Sequence, residues 1–311
     1  MTKKKNKYKF ADLFAGIGGF HQAFHSLGCE CVFASEIDKE ARKTYEFNFR
    51  HISPKLFHSQ NFVEDIIPFA RDNLDRMPDF DILCAGFPCQ PFSQAGIKLG
   101  FKENYEGRGN MFYVLKDIIK HKRPSAFFLE NVRNIENHDK GNTFRVIRQT
   151  LEEELGYHFK HKIVKASDFN LPQHRPRMFM VGFDRNQGFS EGFDFPEPIP
   201  EEERTLTMSD VLGGNCTRDK EGLEKRDIGY TLRVGGRGSV ITDRRNWEFY
   251  YVDGEVRRIS VEDGKQMMGL PKSFILPDSV TQAFKQLGNS VAVPAVTATA
   301  KKILEKLNDE K

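Results

Sequence analysis

The chain has 311 residues, 39% of them hydrophobic, with 47 basic against 44 acidic side chains and a net charge of +3. That is enough material for one large domain, or a large one with a small companion. The charge is too even to establish a nucleic-acid partner and does not oppose one, so any basic footprint must be local. Five cysteines with one close pair, Cys29-x-Cys31, argue against a disulfide framework and a four-cysteine zinc site. Reduced thiols, no metal and a cytosolic compartment are expected. No apolar run reaches the length of a membrane span, and no signal peptide is visible. The run from Lys3 to Lys9 reads as a basic patch or as a solvated tail.

In chain order, Tyr8 to Phe14 reads as a strand that breaks at Ala15-Gly16-Ile17-Gly18-Gly19. Phe20, Ala23, Phe24 and Leu27 then recur at helical spacing up to Gly28. Cys31 to Ser35 reads as a second strand ending at Glu36, followed by a helix from Asp38 to about Asn48. The pattern continues with a strand over Phe80 to Ala85, a helix over Met111 to Lys120 and a strand over Ala126 to Leu129. A helix over Thr143 to Leu155 and a strand over Met178 to Gly182 complete it. Strands alternating with helices imply an α/β fold built on a doubly wound, mostly parallel sheet. From Phe195 to Pro200 the texture changes to prolines, then acidic residues, then a glycine- and arginine-rich segment without helical period. A boundary there gives a first domain over 1–197 and a smaller, irregular, β-rich one over 198–288. The terminal piece, 289–311, carries a helix over Val291 to Leu307 that packs back on the first domain.

Two stretches could carry chemistry. Cys89 follows the strand Phe80 to Ala85, at the carboxyl end where open α/β sheets place their ligands. Pro88 and Pro91 flank it, which suits a rigid turn presenting the sulfur; the other reading is a buried core thiol. Cys84 lies inside the apolar run and reads as core. The turn at Gly16, Gly18 and Gly19 lets the backbone approach a ligand at a helix N-terminus, and Glu36 stands where nucleotide folds put a carboxylate on ribose hydroxyls. His21 occupies the place of the third glycine of a dinucleotide fingerprint, which favours a nucleoside without phosphates. S-adenosylmethionine is one. Asp65, after a third strand, could accept from an adenine amino group. A glycine-opened helix with no ligand is the alternative.

Five segments, in order, carry a resemblance. They are Asp12-Leu-Phe-Ala-Gly-Ile-Gly-Gly-Phe20, Gly86-Phe-Pro-Cys-Gln-Pro-Phe-Ser93, Glu130-Asn-Val132, Gln173-His-Arg-Pro-Arg177 and Gly288-Asn-Ser-Val-Ala-Val293. On these the chain resembles the DNA (cytosine-5) methyltransferases of bacterial restriction-modification systems, from Tyr8 to Leu307, with only about Glu201 to Tyr250 lacking a family-wide match. The resemblance implies the S-adenosylmethionine-dependent methyltransferase fold with a target-recognition domain. It also implies that the enzyme acts alone, as a monomer without an obligate protein partner, on double-stranded DNA in a bacterial cytoplasm, associated with the nucleoid.

By that resemblance Cys89 adds to cytosine C6, Glu130 stabilises the charge this places on the ring, and Arg175 contacts the extruded base. Asn131 holds the carboxyl; Gln173 and Arg177 support the site. Alternate spacing puts Gln173, Arg175 and Arg177 on one face of an extended segment. The cofactor pocket is expected at Phe14, Ala15, Gly16, Gly18, Gly19, Glu36, Ile37, Asp65, Ile66, Met111, Asn289, Ser290 and Val291. DNA contacts are expected at Gln90, Ser93 and Arg108, in a glycine-rich basic stretch from Gln94 to Gly109 suited to a lid, and at Arg233, Arg237, Arg244 and Arg245. Two other readings are a tRNA cytosine methyltransferase on the same core and a catalytically silent DNA-binding homologue. The former lacks its Cys-Phe-Thr element here, and the set Cys89, Glu130 and Arg175 argues against the latter.

Overall fold

The computed structural model describes residues 8–88, 111–235 and 238–310. Cys89, Gln90, Ser93, Arg108, Arg237, the rest of the Gln94 to Gly109 stretch and Lys3 to Lys7 lie outside the described residues.

The first half alternates strands and helices as its sequence pattern requires. Strand β1 (Lys9–Leu13) leads through the glycine turn into α1 (Gly19–Ser26), and β2 (Glu30–Ser35) into α2 (Lys39–Phe49), which Asp38 caps by accepting from the amides of Glu40 and Ala41. A short α3 (Pro54–His58) precedes β3 (Phe62–Val63), then α4 (Ile66–Asp72), β4 (Ile82–Gly86), α5 (Met111–Lys122) and β5 (Ala126–Val132). Helix α6 (Asn142–Gln149) runs on into a wider turn over Thr150–Glu154, so the helix expected to Leu155 is real but loosens in its last turn.

Two long strands follow, β6 (Tyr157–Lys165) and β7 (Pro176–Asp184). The seven strands form one sheet in the order β3-β2-β1-β4-β5-β7-β6. Strands β1 to β5 are parallel to one another, and β7 is antiparallel to both β5 and β6. Alternate residues bury on opposite faces: Ile82, Cys84, Ala126 and Phe128 join the apolar cluster under α1, whereas Leu83, Ala85, Phe127 and Leu129 join the one under α5. Gly182 faces Phe127 across the β5–β7 pair, where a Cβ would stand 2.2 Å from the ring.

The 198–288 region contains α7 (Met208–Leu212) and a second, antiparallel sheet of β8 (Cys216–Thr217), β9 (Phe249–Val252) and β10 (Glu255–Arg258). It also holds two helices that the glycine- and arginine-rich texture did not suggest, α8 (Val261–Met268) and α9 (Val280–Asn289). The expected boundary at residue 288 falls inside α9. The last helix, α10 (Val293–Asp309), starts two residues later than expected, after a break at Ser290–Ala292, and packs on α1. Trp247, Tyr250 and Met267 share one apolar cluster with Phe10 and Phe24, so the two regions are joined by core. Cys29, Cys31, Cys84 and Cys216 are free and buried, and burial pushes the Cys84 thiol well up, as its core reading expects.

Candidate active site

A cavity of about 360 Å³ opens at the carboxyl ends of β1, β2, β4 and β5, the position expected of a ligand site in an open α/β sheet. Strand β2 delivers Glu36. Its carboxylate accepts from the Gly16 amide at 2.7 Å through one oxygen and from the Asp38 amide at 2.7 Å through the other. Burial raises its pKa, and the two amides oppose that rise. The carboxylate is therefore fixed in orientation while its remaining lone pairs face the cavity. Phe14, at φ +53, holds its ring at the cavity wall in a conformation that costs a non-glycine residue energy. Ile37, 62% exposed, offers a second apolar surface there. Asp65 caps α4, accepting from Ile67, and lines the cavity with Ile66 and Met111.

Not every residue of the expected cofactor set reaches the wall. Gly16 and Asn289 do; Ala15, Gly18, Gly19, Ser290 and Val291 pack behind it. The reason is steric: a Cβ on Gly18 would meet the Phe49 ring at 2.2 Å and one on Gly19 would meet Val291 at 2.5 Å, so the close approach these glycines allow is by the protein's own side chains. His21 completes that packing. Fully buried, it stacks on Phe49 at 4.1 Å and bonds Tyr45 and Ser53 through its two ring nitrogens. Its aromatic role explains why no third glycine stands there.

The far end of the cavity is built by β5 and the entry to β7. Glu130, 8% exposed, accepts from Arg177 Nε at 3.0 Å. Burial raises its pKa; Arg177 and then Arg175 lower it. Asn131 donates to the Phe87 carbonyl at 2.8 Å and accepts from the Val132 amide, which ties the end of β5 to the exit of β4. Pro88, the residue before Cys89, lines the same cavity. Arg175 is buried, and its two terminal nitrogens donate to Leu232 O at 3.2 Å, Gly288 O at 2.8 Å and Ser290 O. Burial and the neighbouring Arg177 pull its pKa down to about 9. The neighbouring Glu130 carboxylate opposes that fall. Its Nε is buried without a partner among the described residues.

The single face expected for Gln173, Arg175 and Arg177 divides. Arg175 and Arg177 line the cavity, but Gln173 is sealed outside it, donating to Met267 O at 2.8 Å and accepting from the Leu232 amide at 3.1 Å. Strand geometry begins only at Pro176, so the alternation assumed for 173–177 does not hold at its start. Arg233 and Arg244 are exposed, and Arg245, also exposed, forks onto Asp243 at 2.7–3.2 Å. Sequence reasoning missed Ser35, Lys285 and Gln286, all of which line the cavity. Lys285 pairs with Asp38 at 2.6 Å; Ser35 Oγ and Gln286 Nε2 are buried and have no partner among the described residues. Their adjacency to Glu36 and to the Gly288-Asn289 motif was the available signal.

A family model described as C-5 cytosine-specific DNA methylase matches residues 8–233 and 214–305. The chain is 41% identical to the Type II methyltransferase M1.ScrFI of Lactococcus lactis subsp. cremoris, over 100% of this chain and 81% of that protein. It is 38% identical to the Type II methyltransferase M.HpaII of Haemophilus parainfluenzae, over 98% and 91%. Among solved structures, a putative DNA modification methyltransferase encoded within an E. coli prophage superposes with a TM-score of 0.71 at 17% identity, over 97% of this chain and 100% of that one. The S. pombe Dnmt2 methyltransferase gives 0.68 at 19%, over 97% and 100%. These structural likenesses concern the fold.

Proposed function

The chain belongs to the C-5 cytosine-specific DNA methylase family, and from that premise we propose that it methylates cytosine C5 in double-stranded DNA as the modification enzyme of a restriction-modification system. The observation that carries this reading is one continuous cavity with Glu36 on one wall and the Glu130–Arg177 pair on another, reached by the residue before Cys89.

The donor set fits S-adenosylmethionine. Glu36 suits ribose hydroxyls, Phe14 and Ile37 suit the faces of an adenine, and the buried Ser35 Oγ and Gln286 Nε2, without a partner among the described residues, stand behind the same wall as polar groups to be satisfied. When bound, the cofactor supplies an electrophilic methyl group. The protein's task is to make a weakly nucleophilic carbon reactive. Cys89 thiolate adds to C6 of the extruded cytosine, forming a carbon–sulfur bond and pushing electrons into the ring. Glu130, whose raised pKa favours its protonated form, gives its proton to N3, and Arg177 holds the resulting carboxylate in place. After C5 is substituted, a base takes its proton, the electron pair expels Cys89 as thiolate, and N3 returns its proton to Glu130. Asn131 keeps the two strand ends in register for this exchange. Exposed Arg233 and Arg244 are suited to guanine edges or phosphates, in a monomer that needs no protein partner.

The test is labelled-methyl transfer by the purified protein to mixed-sequence duplex DNA and to tRNA, followed by bisulfite sequencing. Transfer to cytosine in DNA within one sequence context is expected, and it should vanish in Cys89→Ser while cofactor binding persists. Transfer to tRNA alone, or to no acceptor, would sink the reading.

A further inference from the structure

The segment before β7 and the segment 229–234 of the second region are laced together. Gly229 donates to Pro172 O at 3.0 Å and accepts from the His174 amide at 2.8 Å; Thr231 Oγ1 donates to His174 O. Leu232, 1% exposed, is gripped through both of its main-chain groups: Gln173 Oε1 accepts from its amide, and Arg175 donates to its carbonyl. Gln173 is itself fully buried and anchored to α8 through Met267 O. On the other side, the Arg233–Val234 peptide runs so close to Gly288 that a Cβ there would stand 2.7 Å from the Arg233 carbonyl carbon. One and two residues along the chain from this grip, Arg233 and Val234 are exposed. One residue the other way in function, the same Arg175 lines the base end of the cavity beside Arg177 and Glu130.

Resting on the methyltransferase reading, we propose that Gln173 is a positioning residue for sequence discrimination: it fixes the recognition segment at Leu232 against Arg175, so that the base pocket is in register only when Arg233 and Val234 sit correctly on DNA. The physical basis is the shortness of the linkage. One hydrogen bond, from Arg175 to Leu232 O, and one peptide separate an exposed arginine from the catalytic cavity, and Gln173 holds the same Leu232 by its amide; a displacement of about 1 Å in such a supporting contact is enough to change turnover by about 10²-fold. A buried amide with both its functions engaged transmits position because neither bond can be given up to water.

Gln173→Met keeps the side-chain volume and removes both bonds. Wild type and variant are compared on a random-sequence duplex library by bisulfite profiling, and on the preferred site and its single substitutions by duplex affinity, which reports even if turnover is lost. The expected result is a fall of about tenfold or more in discrimination at one or two positions of the site, with cofactor affinity within twofold of wild type. Gly288→Ala, which pushes the Arg233–Val234 peptide from the opposite side, should relax the same positions. An unchanged profile at a uniformly lower rate, loss of cofactor binding in Gln173→Met, or relaxation at different positions in the two variants would each overturn the proposal. Failure of the wild-type protein to methylate cytosine would instead overturn the reading on which it rests.

Discussion

The central sheet and the region from Met208 to Arg258 are held together by different means. Strands β5, β6 and β7 run seven to nine residues, and their side chains fill apolar clusters on both faces. Strands β8, β9 and β10 have only two, four and four residues. There the backbone is pinned by single polar side chains. Asn246 bonds the main chain of Phe249 in both directions, and Asp253 accepts from Asn215. Asp219 accepts from Leu223 and Glu224, and the fully buried Glu248 accepts from Gly238 and Arg258. Trp247 adds a bond to Gly235 O at 2.9 Å. Many sequences can satisfy an apolar period, but a clasp depends on one residue. The clasped loops of the second region therefore each depend on one polar residue, while Trp247 and Tyr250 join that region to the apolar cluster of the first.

The contrast can be broken by experiment. Glu130→Gln should have the largest effect, a fall of about 10²–10⁴ in single-turnover methyl transfer with cofactor affinity and sequence profile retained. Because burial raises the Glu130 pKa, the wild-type rate should decline as pH rises through that raised value, where the proton is lost, and this limb should be absent from the variant. Gly182→Ala drives a methyl into Phe127 and should cost about 1–3 kcal/mol in urea unfolding, felt throughout the sheet and in cofactor binding. Glu248→Ala leaves the Gly238 amide without its acceptor, at about 1–3 kcal/mol, but the loss should be local: faster amide exchange over 238–248, weaker DNA binding and unaltered cofactor affinity. Equal effects of these two variants on both ligands would erase the distinction between the regions.

The smallest effect concerns His21. Burial holds its pKa well below the ordinary 6.5, so the native form stays neutral while the unfolded chain takes up a proton as pH falls through 6.5. Its contribution to stability is complete above that pH and declines below it. Asp12, buried and with its pKa well raised, acts in the opposite sense: its contribution declines as pH rises from 3.8 through the folded value. The thermal midpoint of wild type minus that of His21→Gln, followed from pH 7.5 to 5.5, should therefore shrink on acidification. A constant difference would contradict the neutral, buried imidazole.

Legibility in the sequence follows the same division. Strands β1, β2, β4 and β5 and helices α1, α2 and α5 announce themselves because their apolar residues repeat at the period of the element. Strand β6 does not: His158, Lys160, His161 and Lys162 interrupt its apolar run, as an edge strand allows. Among the motif residues that meet in space, Glu130, Arg175 and Arg177 were readable as a set through resemblance, whereas Glu36 was readable from its place at the end of the second strand after the glycine turn. What motifs left out were residues whose role is set by neighbours from distant segments. Lys285 matters because Asp38 faces it. Trp247, close to Arg244 and Arg245 in the sequence, is set by a distant neighbour too: it is wholly buried against Phe284 at 5.4 Å.

Tyr8 Oη donates to the Leu307 carbonyl at 3.0 Å, and α10 lies on α1. The beginning and end of the described fold thus meet at the amino end of β1, while the cavity at the other end of that strand takes its first wall from Phe14, Gly16 and Ile17 and its last from Lys285, Gln286, Gly288 and Asn289. During synthesis the first wall emerges long before the last. A chain that stalls or terminates anywhere between them has half a pocket and an unpaired α1 face, and it cannot hold a cofactor in the completed geometry. Errors of translation are thereby expected to give silent protein rather than a methylase of loosened specificity.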